Sequence, residues 1–568
     1  MIIKHMLGMA AVGLSLTIPT FGFENTAKVK KINEFDVRLM EAADARDYQN
    51  PVFSEALESG RWQALVYLGQ IGGDACAEIA PYLSHSDAAA VAAARLGAAL
   101  CHGDAPVDEL LAYTQPLPAS AGVDYLASAL GFSGEEGARP LLVDYVNAIK
   151  PGKPFNVGYP DNPRTLPFFG LMQSVVYDRL PATDFPKLSF EALLAHTSEM
   201  GTDYVAAYLL TRFTDMPEVL PFADVQTALG NAQASRVKAA LVRVLRQYGD
   251  AASGTLVALA SGKDRMVALE AVRALGYLKD DESRVFLLEV AAKAEDMAMR
   301  HLALSALAPR HAGDAEITGL LEGATKDQNA WIAVTALRGL MQRDPDKAFP
   351  TTESWFKGKD YYKAFSAMGL LAQSEEGKGI LEAYAEAHAD SIRGREAAIA
   401  LDPSIEGVEK PRVTPRWSMV RSYQERELVL NTTRGTICIA PSPDAPYAAA
   451  NFMLLADVGK MNGMLWHRVI PNFVAQAGQS EDPVLAEWGT IREEWVSSNH
   501  RIGTVGVATA GRDTGSTQFF INTGYNLHLN GRYTVMGRVI SGLEAAMQLQ
   551  EGDVIESAKT VRAGTCAL

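Results

Sequence analysis

Basic residues are in deficit. Lys and Arg number 52 against 67 Asp and Glu, a formal net charge of −15. That balance argues against a nucleic-acid partner, because phosphate binding needs a basic face. Histidine is sparse, ten in 568 residues, with no pair at zinc-ligand spacing. Cysteine is sparser: Cys76, Cys101, Cys438 and Cys566, and four allow three pairings. Beyond the first 25 residues no run of 18 apolar residues occurs, so no membrane span is expected in the rest of the chain. GRDTGST (511–517) lacks the lysine of a phosphate loop. Within it DTGS spells the aspartic-protease signature, but that chemistry needs two carboxylates sharing a proton and no second copy exists. A turn is expected there.

What is present is an ordinary globular composition, 48% hydrophobic and 21% charged, on a chain too long for one core. The N-terminus, MIIKHMLGMAAVGLSLTIPTFGFEN, has Lys4 and His5, an apolar stretch over Met6–Ile18, and small residues Thr20 and Gly22 before Phe23. Residues 1–22 are expected to be a secretory signal peptide, too short to span a bilayer comfortably. An exported, periplasmic or extracellular chain follows, with its cysteines in an oxidising compartment. Asn431-Thr432-Thr433 is a glycosylation sequon, relevant only in a host with that machinery.

The first two-thirds repeat. VKAALVRVLRQYGD (237–250), VALEAVRALGYLKDD (267–281), HLALSALAPRHAGD (301–314), IAVTALRGLMQRDPD (332–346) and KAFSAMGLLAQSEEG (363–377) are Ala/Leu/Val runs at helical spacing closed by Gly or Asp. Leu245, Leu275, Leu307, Leu340 and Leu371 step by 30, 32, 33 and 31; Leu68, Leu100 and Leu130 step by 32 and 30. A second helix such as SRVFLLEVAAKA (283–294) follows each run. Each pair can bury its face only against its neighbours. The pattern resembles HEAT-type repeats over about residues 33–400, interrupted near PGKPFNVGYPDNP (151–163); an irregular helical domain is the plainer alternative. In such a stack Cys76 and Cys101 fall on one edge, where they are either bonded or two small buried hydrophobes.

At LDPSIEGVEKPRVTPRW (401–417) the period stops, and 401–425 reads as a linker. After it come short apolar runs separated by Gly and Asn, which suggest a closed barrel. APYAAANFMLLADVG (445–459) and LEAAMQLQ (543–550) read as two helices.

HRVIPNFVAQAG (467–478), GTVGVATAGRDTGSTQFFINT (503–523) and LHLNGRYTVMGRVISGLE (527–544) together resemble the cyclophilin family of peptidyl-prolyl isomerases. The resemblance implies an eight-stranded barrel with two capping helices over 426–568, behind the all-α array. It implies that Arg468 meets the prolyl nitrogen, that Phe473, Val474, Phe520 and Leu529 form the proline pocket, and that Gln476 holds the substrate backbone and helps orient Arg468. Ala508, Thr509 and Ala510 would pair with the peptide main chain, and Gln518 would line the groove. His528 and Tyr533 stand where the family often has Trp and His, Thr509 where Asn is common, and Val474 where Met is frequent. His467 would pack. QSEDPVLAEWG (479–489) replaces the family's Gly-rich loop and would alter the groove's edge. The ends of such a barrel lie close, so a Cys438–Cys566 disulfide is implied, against a free buried Cys438 and a frayed tail.

The expected function is cis-trans isomerisation of Xaa-Pro bonds in exported proteins, with no metal or cofactor. Proline-containing polypeptides are the expected partners, and the array is expected to hold clients or a protein partner. The competing readings are a non-catalytic scaffold or holdase that only grips proline segments, and an array to which the barrel is a passenger.

Overall fold

The computed structural model describes residues 33–112, 125–150, 163–178, 180–310, 313–404, 415–495 and 499–566. The expected signal peptide and most of the interruption at 151–163 lie outside them. Two rows of helices make up the array. The inner row runs Gln63–Ile71, Ala88–Cys101, Leu126–Ser133, Leu166–Ser174, Asp203–Leu210, Ser235–Leu245, Arg265–Leu275, Met297–Leu307, Ala330–Arg343 and Tyr361–Leu371, each helix packed on the next. All eight recurring leucines lie on this row and are buried. Small residues let the backbones close in: a Cβ on Gly69 or on Gly131 would meet the carbonyl oxygen of Gly97 or Gly170 at 2.1 Å. The aspartates that close the sequence runs are helix starts. Asp280, Asp314 and Asp344 each accept a backbone N–H in the first turn of the outer-row helix that follows, satisfying donors that have no intrahelical partner.

Eight antiparallel strands follow: β1 Arg426–Thr432, β2 Gly435–Pro441, β3 Leu465–Ile470, β4 Val474–Gln479, β5 Thr504–Val507, β6 Phe519–Asn522, β7 Val535–Ser541 and β8 Ile555–Arg562. Their order is β3-β4-β6-β5-β7-β2-β1-β8. The edges meet where Trp466 N–H donates to Asp553 O (2.9 Å) and Ile555 N–H to Met464 O (2.9 Å), so the sheet curls shut. Helices Pro446–Asp457 and Leu543–Met547 are those expected from the sequence. Within the stretch read as a linker, Trp417–Tyr423 forms a further helix that packs on Pro446–Asp457 and buries Val420 and Tyr423. Disulfides join Cys76 to Cys101 and Cys438 to Cys566.

The array curves around the barrel. Asp44 pairs with the buried Arg492 at 2.8 Å, and Arg492 with Glu494 at 3.2 Å. Arg512 of the barrel donates to Gln70 O (2.7 Å) and Leu100 O (2.9 Å) at the ends of two inner helices. Farther along, Gln173 accepts from Arg532 Nε at 2.9 Å, Arg273 donates to Pro471 O at 2.6 Å, and Arg338 pairs with Glu551 at 3.0 Å. Tyr362 donates to the same carboxylate at 2.8 Å. The inner face thus carries the chain's own barrel along its length.

Candidate active site

Strand register builds the site. Arg468 faces Gln476 across β3–β4, Gln476 faces Phe520 across β4–β6, and Phe520 faces Gly506 across β6–β5. Directly opposed residues project from one face, so guanidinium, amide, phenyl and a bare glycine lie in a row. Gly506 must be bare: a Cβ there would stand 2.3 Å from Phe520 Cζ. Two residues from Gln476, on the same face, Val474 joins Phe520 and Leu529 in an apolar cluster separate from the main core, flanked by Phe473, Ala508 and Tyr533.

Arg468 is exposed at the edge of this recess. Its Nη1 donates to Gln476 Oε1 at 3.3 Å, and Gln476 Nε2 donates to Gln518 Oε1 at 2.9 Å. Its guanidinium lies 5.6 Å from the centre of the Phe473 ring. Among the described residues no carboxylate pairs with it. A cation held by an amide beside an apolar recess suits one reaction. Rotation about a peptide bond costs about 18–20 kcal/mol because amide resonance is lost. A donor to the prolyl nitrogen favours the twisted amide and adds little to the planar one, so it binds selectively to the transition state. Arginine is always charged and geometrically rigid, and an apolar wall strengthens the contact by lowering the local dielectric.

The remaining expected residues sit around this centre. Ala508 N–H donates to Gln518 O (3.0 Å) and Ala510 N–H to Thr514 Oγ1 (2.9 Å). A peptide laid along this edge therefore finds those two donors taken. Thr509 lies near the Glu493 carboxyl and lowers its pKa against the larger effect of burial. Tyr533 is half-buried with its ring edge-on to Phe520 at 6.0 Å, and burial raises its phenol pKa. His467 packs edge-on to Phe365 of the array at 6.5 Å, and burial pushes its pKa down to about 4. His528 stacks on Phe473 at 5.5 Å. DTGS is a turn, with Asp513 at φ +63° bonded by Arg46 Nε at 2.6 Å.

Several supporting residues carry no local sequence signal. His500 stacks on Phe520 at 5.6 Å and bonds Tyr533 O through Nε2 at 3.1 Å; burial holds its pKa near 4. Asn526 donates to Phe473 O at 2.8 Å. Asn472, at φ +59°, donates to Met266 O (2.8 Å) and Glu270 Oε1 (3.2 Å) of the array. Glu270 is itself buried between Arg243 and Arg273. The array thus holds the turn that aims Phe473. Beyond the stretch 479–489 the chain docks on the array. Trp495 stacks on His102 at 4.4 Å, and its carbonyl accepts from Gln70 at 2.6 Å.

Comparison with known proteins agrees with this geometry. The family model for cyclophilin-type peptidyl-prolyl cis-trans isomerases matches residues 428–565. Peptidyl-prolyl cis-trans isomerase B of Bacillus subtilis is 42% identical over 118 residues, covering 20% of this chain and 82% of its own length. The peptidyl-prolyl cis-trans isomerase of Helicobacter pylori (strain ATCC 700392 / 26695) is 39% identical over 134 residues, covering 22% of this chain and 82% of its own. That of Synechococcus elongatus is 37% identical over 139 residues, covering 24% and 96%. A solved cyclophilin-type isomerase from Cryptosporidium parvum aligns at 22% identity over 23% of this chain and 97% of its own, with a TM-score of 0.21.

Proposed function

Through its C-terminal barrel the chain belongs to the cyclophilin-type peptidyl-prolyl cis-trans isomerases, and on that premise we propose that it isomerises Xaa-Pro bonds in exported polypeptides at the recess beside Arg468, with the helical array framing the entrance. One observation carries the site: an exposed guanidinium, tethered by Gln476 and unpaired with any described carboxylate, stands beside an apolar cluster separate from the core. Export is supported by the basic-then-apolar start of the sequence and by the pairing of all four cysteines in two disulfides.

The inner helices are occupied by the barrel, so the client contacts assigned to the array lie where it borders the pocket. A cleft of about 690 Å³ within the array is lined by Arg212, Thr214, Asp215, Arg246 and Gln247 among others. Arg212 also reaches Tyr208, which bonds the pocket residue His528.

The test is a cis/trans assay on a short Xaa-Pro peptide with the full chain. Wild type is expected to be active. Arg468→Ala, at an exposed position, is expected to fold normally and to lose roughly a hundredfold in kcat/KM, about 2.7 kcal/mol of transition-state binding. An unimpaired Arg468→Ala would refute the mechanism. A wild type that binds the peptide without turning it would leave a proline-binding scaffold.

A further inference from the structure

An unbroken row of stacked groups crosses from the barrel into the array. Arg468 lies over Phe473 at 5.6 Å. Phe473 stacks with His528 at 5.5 Å and 19°, and His528 with Tyr208 at 6.0 Å and 12°. Arg212 closes the row over the Tyr208 ring at 4.7 Å. The first three groups belong to the barrel. Tyr208 belongs to the inner helix Asp203–Leu210, and Arg212 to the turn after it.

A polar relay follows the same residues. Arg212 Nη2 donates to Tyr208 Oη at 2.9 Å, and that oxygen lies 2.5 Å from His528 Nδ1. Arginine has only donors, so the tyrosine oxygen accepts from Arg212 and shares a second hydrogen bond with Nδ1. Burial, with Arg212 and Arg243 nearby, holds the His528 pKa well below its ordinary value, so the ring is neutral. Tyr208 is 1% exposed, so it cannot touch a client. Its route to the barrel's recess runs through His528.

We propose that Tyr208 of the helical array is a positioning residue of the isomerase site: it fixes the His528 ring, His528 fixes Phe473, and Phe473 fixes the Arg468 guanidinium. The array is thereby part of the active site rather than a neighbour of it. The imidazole has lost two degrees of freedom to the array, one by stacking and one by the hydroxyl, so Phe473 meets a fixed wall. A catalytic cation that acts only in the twisted state depends on such a wall, because misplacement costs rate more than binding.

The proposal rests on the isomerase reading above, and the experiment separates the two. Tyr208→Phe in the full chain keeps the ring and removes only the hydroxyl, so it is expected to fold with a thermal midpoint close to wild type. Its kcat on a short Xaa-Pro peptide is expected to fall roughly threefold to tenfold, the size of one lost hydrogen bond, with KM changed less than about twofold. In a His528→Ala background the same change is expected to have no further effect, since the residue it acts through is gone. An equal fall in both backgrounds, a fall carried by KM, or no fall with His528 present would overturn the proposal. If wild type is inactive, or Arg468→Ala is not, the isomerase reading fails and takes the proposal with it. If both behave as expected and only Tyr208→Phe is neutral, the proposal alone fails.

Discussion

Arginines between the repeats of the array and Arg468 of the barrel are used in opposite ways. In the array, Arg265 pairs with Asp296, Arg284 with Asp314 and Arg300 with Asp327, partners 31, 30 and 27 residues apart, each roughly one repeat further on. These arginines staple repeat to repeat. In the barrel, Arg468 has an amide and a ring for company and no described carboxylate. Charge already neutralised cannot be offered to a substrate. An arginine left unpaired beside an apolar recess is therefore informative in a way that an arginine between helices is not.

That comparison can be broken at several points. The largest effect should come from the covalent ties. In the chain-entropy account, a loop of 128 residues closed by Cys438–Cys566 stabilises the barrel by about 5 kcal/mol, and one of 25 closed by Cys76–Cys101 stabilises the array by about 3.5 kcal/mol. Serine pairs at each site, unfolded in denaturant, should lose stability in that order; the reverse order would mean that strain or residual structure dominates. Next comes the ionic tie between the two regions. Asp44→Asn leaves Arg492, 2% exposed, without its array partner, and should cost about 3–5 kcal/mol. Activity per folded molecule should stay within about twofold, the converse of Arg468→Ala, which should spare stability and remove activity.

The smallest effect concerns protons. Burial, with Asp513 nearby, pushes the Glu493 carboxyl up to about 7 from the ordinary 4.5, and its Oε1 has no hydrogen-bond partner. A raised carboxyl pKa means that the folded state holds a proton the unfolded chain has lost. The resulting stability is full below about pH 4.5 and disappears as pH rises through 7. Glu493→Gln should therefore gain on wild type by roughly 2 kcal/mol between pH 5 and pH 8 in paired thermal melts. The buried His500 and His301 act in the opposite sense, losing stability as pH falls below about 6.5 toward their depressed values near 4 and 3. For that reason the difference between the two proteins, rather than the wild-type midpoint, is the quantity to follow. A pH-independent difference would show that Glu493 is ionised throughout.

The helices of the array and their recurring leucines were legible because a local rule produced them: apolar residues at helical spacing, closed by capping aspartates. The pocket was legible because its residues sit in three short motifs whose order carries the strand register. Its supports were not. Tyr208 lies 320 residues from His528, Glu270 202 from Asn472, and Arg46 467 from Asp513. No period or spacing encodes such pairs, and each residue reads alone as an ordinary core or surface position. The helix Trp417–Tyr423 was missed for a related reason: three nearby prolines dominate the composition, while the apolar Val420 and Tyr423 gain their meaning only from the helix they cover. The two disulfides were expected as possibilities, because edge geometry and meeting termini favour contact without requiring it.

Arg512 leaves one debt for anyone who cuts this chain in two. Its guanidinium meets the carbonyl ends of two early helices, supplying from the barrel the positive charge that those helix dipoles favour at their C-termini. An excised array would start life with frayed tips and a bare hollow lined for a guest that is no longer present. Anything such a fragment captured would report on the amputation, and the search for natural ligands belongs with the intact molecule.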